Sequence, residues 1–199
     1  MRYQIRPEKL DSFGRTPVIL LAALRQFPQK MWLYEPSPDH WSIHKTILHL
    51  ADAEANAYIC CRRYIAEQGR LDSQFESARW RETLGYCDQS TREALEIIRR
   101  LRKMTYRLLI ALQESARVIT AEEPVEGTMS LDAWLELHEC HFINLMGQML
   151  QNYEIWLRTH PRRKSASASR RLNVTPQAIV SASRVESFQA SSHISSRRN

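Results

Sequence analysis

The stretch SLDAWLELHECHFINLMGQMLQNYEIWLR, residues 130–158, decides how this chain folds. Leu131, Leu135, His138, Phe142, Leu145, Met149, Asn152 and Trp156 recur at alternating spacings of four and three. At 3.6 residues per turn these side chains fall along one side of a single long helix. Ser130 stands where an N-cap is needed and Pro161 closes the segment. A helix with so long a seam gains its stability by burying it against neighbours, so further helices or a sheet must cover it.

Working outward, the neighbours read as helices too. Upstream, Ser90-Thr91-Arg92-Glu93 forms a capping-box pattern, and Leu95, Ile98, Leu101, Thr105, Leu108, Leu109 and Leu112 mark one face of a helix reaching about Glu114. Before it, Ser42 caps a long helix through about Glu67 that ends at Gly69. Nearest the start, Thr16-Pro17 reads as an N-cap followed by proline at the first helical position, giving a short helix stopped by Phe27-Pro28. Proline-dense residues 35–40 and residues 123–127 read as turns. Residues 70–87, with Trp80 and Tyr86, read as a packed connection without sustained periodicity. With 5 Gly and 8 Pro in 199 residues, the expected class is all-α, a four-helix bundle.

The formal charge of +6 suggests a nucleic-acid partner until the chain is divided at Pro161. Residues 161–199 hold Arg162, Arg163, Lys164, Arg170, Arg171, Arg184, Arg197 and Arg198 against the single acid Glu186. The remainder is therefore near neutral and offers no phosphate-binding platform. One domain over residues 1–160 and a disordered basic tail over 161–199 are expected, the tail having too little apolar surface to offset its ordering entropy. Nucleic acid is not an expected partner. The longest apolar run, residues 18–24, is far short of a membrane span and follows Glu8 and Asp11, so neither a membrane partner nor a secretory signal is expected. Cys60, Cys61, Cys87 and Cys140 form no C-x-x-C pair, which suits reduced thiols and a cytoplasmic location.

Chemistry concentrates in three histidines on the two longest helices: His49, His138 and His141. Imidazole is a common ligand for divalent metals, and bundle cores build metal sites from facing helices. Around His49 the stripe Ser42, Thr46, Ala53, Asn56 and Cys60 is small or polar, which leaves room for a pocket. A lone histidine on such a helix is more often a hydrogen-bonded core residue than a ligand.

Pro38-Asp39-His40-Trp41-Ser42-Ile43-His44 leading into His49-Leu50-Ala51-Asp52-Ala53-Glu54 resembles the signature of the DinB/YfiT-like superfamily. The resemblance continues through Cys61-Arg62-Arg63-Tyr64-Ile65-Ala66-Glu67, Gln89-Ser90, Leu101-Arg102, Thr105-Tyr106, Trp134, His141, Gln148-Met149 and Asn152, over about residues 15–158. It implies a four-helix bundle that holds a divalent metal (zinc, nickel or manganese) through one histidine on the second long helix and an H-x-x-x-H pair on the last. It also implies activity as a metal-dependent hydrolase or thiol S-transferase. By position His49 is the first ligand and His141 the second, and the third falls on Leu145, which cannot coordinate a metal. His138 and Asp52, each about one turn from a ligand position, are the two residues placed to substitute. Lys45 stands where relatives often carry the Glu of a capping box.

Two functions follow. One is a catalytically silent bundle that binds a small molecule or self-associates as a homodimer, its metal site degenerate at Leu145; this is the favoured one. The other is a hydrolase or thiol S-transferase using His49, His141 and a substitute third ligand.

Overall fold

A computed structural model describes residues 5–38, 40–67, 77–114 and 130–161. Within them the chain forms α1 (Pro7–Leu24), a 3-10 turn at Gln29–Met31, α2 (Ile43–Ala66), the short α3 (Ser77–Thr83), a second 3-10 turn at Tyr86–Asp88, α4 (Thr91–Glu114) and α5 (Leu131–Thr159), with no strand among the described residues. Three of the long helices begin where serine caps them. Ser42, Ser90 and Ser130 Oγ accept the amide hydrogens of Lys45, Glu93 and Ala133 at 3.3, 3.3 and 3.2 Å. Lys45 puts its own ammonium 2.7 Å from Glu35, tying the start of α2 to the preceding loop.

The first helix differs from its sequence reading. It starts at Pro7, a proline in its first turn, and runs ten residues before Pro17, which therefore lies inside it. Thr16 is no cap: its hydroxyl donates to the Phe13 carbonyl at 2.6 Å. Pro17 has no N–H to give that carbonyl, and the neighbouring hydroxyl takes over. The connection before α4 also contains more structure than expected, in α3 and the second 3-10 turn. Tyr86 is buried there, but Trp80 is exposed. The turn read at residues 123–127 and the tail beyond Pro161 lie outside the described residues.

Packing fixes the direction of each helix. Arg6 and Lys9 at the start of α1 meet Asp132 and Glu136 at the start of α5, so these two run parallel. His44 near the start of α2 hydrogen-bonds Thr91 at the start of α4, so these also run parallel. The Trp41 carbonyl just before α2 accepts from Asn152 near the end of α5, which sets the pairs antiparallel. Each of α1 and α2 packs on both α4 and α5. The result is an up-down-down-up bundle, and the parallel step from α2 to α4 is why a long connection separates them.

Two apolar clusters fill the bundle. One gathers Leu20, Leu24, Ile43, Ile47, Ile98, Phe142, Leu145 and Met149, and the other Leu10, Phe13, Ala57, Cys61, Leu109, Trp134 and Leu135. Between them along α2 and α4 lie the buried polar residues His49, Glu54, Arg102 and Thr105, with Ala53 among them. All the described helices belong to one unit, Met1–Arg162.

Candidate metal centre

His49 sits two turns into α2 and is 2 % exposed, as its place beside the Ile43, Ile47 and Leu50 seam requires. His141 faces it from α5. The two Nε2 atoms are 3.2 Å apart, the rings stand at 79° with centroids 5.2 Å apart, and Trp41 and His49 meet edge to face with centroids 5.1 Å apart. Burial lowers the His141 imidazole below its ordinary value. With both rings neutral, the contact is one hydrogen bond, one Nε2–H donating and the other Nε2 accepting, the tautomers deciding which.

The spacing also tests the pair as ligands. Two nitrogens each about 2.05 Å from a tetrahedral ion stand about 3.3 Å apart, so this pair has the span of two adjacent ligands. The rest of a three-ligand set does not follow. Leu145, one turn beyond His141, is 5 % exposed and packed in the apolar cluster with Phe142 and Met149. His138 lies with its ring 4.4 Å from that of Trp134. Burial first, then Arg102 and His141, push it down to about 4, which marks a neutral ring. Asp52 turns away: its carboxylate accepts the Tyr86 hydroxyl at 2.5 Å. Burial raises that carboxyl while Tyr86 pulls it back.

Among the described residues, no three His, Cys, Asp or Glu side chains converge as a metal site. The described residues therefore do not fit the three-ligand metal implied by the resemblance. A cleft of about 440 Å³ lies on the face of α2 toward α4, lined by Leu48, Asp52, Asp88, Glu93 and Ile97, and does not include His49. The other histidines among the described residues, His40, His44 and His160, have structural partners, His40 meeting the Ser37 hydroxyl at 2.8 Å. His44 bonds the Thr91 hydroxyl and the Tyr86 carbonyl, and His160 stacks on Trp156. Cys60 and Cys61 are buried free thiols, Cys61 pushed up to about 12 by burial, and Cys140 is exposed.

Sequence reasoning passed over a buried ion pair. Glu54 and Arg102 join α2 to α4 at 2.6 Å, each 3 % exposed. A signal was present, because Arg102 occupies the 98-102-105-109 register of α4 and Glu54 the 47-50-54-57-61 register of α2. A charge on each of two apolar seams points to a pair between them.

Fold and site together define an all-helical bundle carrying a histidine pair across two antiparallel helices. The family model of the DinB superfamily matches residues 12–141, and the chain belongs to that superfamily. It is 27 % identical over 101 residues to a protein of Oceanobacillus iheyensis bearing the name "Putative metal-dependent hydrolase", a match covering 51 % of this chain and 58 % of that protein's length. Its fold is similar to that of YfiT from Bacillus subtilis, described as "a probable metal-dependent hydrolase with an unusual four-helix bundle topology", with a TM-score of 0.63, 17 % identity, and coverage of 78 % of this chain and 91 % of YfiT. No helix among the described residues is long and apolar enough to cross a membrane.

Proposed function

We propose that this DinB-superfamily chain does not run the metal-dependent hydrolysis for which its relatives are named, and that its bundle works by binding a small molecule or by self-association. The observation that carries this reading is Leu145, buried among Phe142, Met146 and Met149 where a third ligand would have to stand. A leucine side chain there supplies packing atoms and no lone pair, and two imidazoles alone fall short of the three protein ligands usual for catalytic zinc. The same reading keeps the protein in the cytoplasm and away from nucleic acid, the basic charge being gathered in residues 161–199. A second reading has one observation in its favour, the 3.2 Å span of His49 and His141. It is a zinc, nickel or manganese site of His49, His141 and a substitute third ligand, serving a hydrolase or thiol S-transferase.

Metal content separates them. The full chain, without an affinity tag, is equilibrated with zinc, nickel or manganese, desalted and assayed for bound metal. We expect the wild type to retain well below one equivalent and Leu145→His to approach about one, since that change completes a three-histidine set. Near-stoichiometric metal in the wild type, lost in His49→Ala, would overturn the first reading in favour of the second.

A further inference from the structure

The polar layer between the two apolar clusters holds more hydrogen-bonding capacity than it uses. Arg102 Nε and Nη2 both donate to one oxygen of Glu54, Oε2, at 2.8 and 2.6 Å. The guanidinium carbon lies 4.0 Å from the Phe13 ring centroid and 5.6 Å from that of Phe142, so rings from α1 and α5 wall the pair from solvent. Thr105, one turn along α4, is fully buried beside it in sequence register. Three atoms of this layer are buried without a hydrogen-bond partner among the described residues: Glu54 Oε1, Arg102 Nη1 and Thr105 Oγ1.

Leaving one such group unsatisfied costs about 1–3 kcal/mol. Three together would consume much of the roughly 5–15 kcal/mol by which a domain is stable, so the layer needs a guest. Its character follows from the three atoms. Arg102 Nη1 seeks an acceptor, Glu54 Oε1 a donor, and Thr105 Oγ1 takes either. Glu54 and Arg102 neutralise one another, and the Glu139 carboxyl of α5, raised by burial, adds a second acid within electrostatic reach of Arg102. An anion would therefore meet two carboxyl groups and a cation would meet Arg102, each unfavourably at low dielectric.

We propose that the Glu54–Arg102–Thr105 layer is a binding site for a neutral guest that both donates and accepts hydrogen bonds, either ordered water or a small hydroxyl- or amide-bearing molecule. The site is independent of the metal question, because it uses neither His49 nor His141.

The test is a crystal structure of the full chain fine enough to place ordered water, repeated after soaking in acetamide, acetate or methylammonium. Density within hydrogen-bonding distance of at least two of the three atoms is the expected result. Acetamide replacing water there would assign a small-molecule site, and water that acetamide does not displace would assign hydration. Thr105→Val, close to isosteric, should lose the density at that hydroxyl, and Thr105→Ser should keep it. If Arg102 instead closes on both Glu54 oxygens and no density lies at Nη1 or Thr105, the proposal fails. It fails equally if acetate or methylammonium occupies the layer as readily as acetamide.

Discussion

At Pro17 the backbone of α1 lacks the amide hydrogen that the Phe13 carbonyl would otherwise accept, and Thr16 Oγ1 supplies a donor at 2.6 Å from a buried position. Replacing Thr16 with Val keeps the volume and removes the donor, so urea unfolding should show a loss of about 1–2 kcal/mol that Thr16→Ser largely avoids. The Thr-Pro pair misled the sequence reading because a cap and an interior repair use the same two residue types. The seam Leu10, Phe13, Pro17, Leu20 and Leu24 was the contrary signal. His138 carries a second consequence at this scale. Its folded value of about 4 lies below the ordinary 6.5, lowered first by burial and then by Arg102 and His141. The folded chain therefore keeps the ring neutral, and its stability is fully present above pH 6.5 and lost as pH falls toward 4. The loss should reach up to about 3 kcal/mol. His138→Gln should flatten that limb in denaturation measured between those pH values, and an unchanged limb would assign the acid loss to other groups.

Between elements, α1 and α4 approach closely at Gly14. A Cβ on Gly14 would stand 2.7 to 3.0 Å from atoms of the Tyr106 ring. Alanine gains up to about 1 kcal/mol over glycine in a helix interior, whereas overpacking costs about 1–3 kcal/mol, so the clash should win. Gly14→Ala is expected to destabilise the wild type by about 1 kcal/mol or more, yet to stabilise a Tyr106→Ala background, where only the propensity gain is left. The same sign in both backgrounds would refute the contact. Element boundaries were legible where a serine cap preceded a periodic run, at Ser42, Ser90 and Ser130. They were misread where proline sat in mid-helix. The Glu54–Arg102 pair shows a different limit: each residue's seam position could be read, but not that 48 positions of chain return one to the other.

Over the whole molecule, the parallel pairing of α1 with α5 is held at one end by charges. Lys9 lies 2.9 Å from Asp132 and 2.5 Å from Glu136, and Arg6 reaches Asp132 at 3.1 Å. Burial alone would raise the Asp132 carboxyl, but hydrogen bonds from Lys9 and Arg6 outweigh it and hold the group below its ordinary value. That carboxylate therefore stabilises the fold above the usual carboxylate range, and the contribution fades as pH falls through its lowered folded value. Asp132→Asn should cost on the order of 1 kcal/mol at pH 7 and progressively less in acid, measured by thermal or urea unfolding. A cost independent of pH would point to the capping geometry of α5 rather than to charge.

The amino-acid sequence by itself determined the helical class, the caps at Ser42, Ser90 and Ser130, the seam of α5 and the superfamily, because each is written in local spacing or in residues in fixed order. Helix direction, the meeting of His49 with His141, the turning of Asp52 to Tyr86 and the enclosure of Arg102 by Phe13 and Phe142 were decided only by the tertiary structure. Periodicity tells which side of a helix is buried, but which groups then face one another depends on how four helices pack, a relation between distant parts of the chain that no local pattern carries.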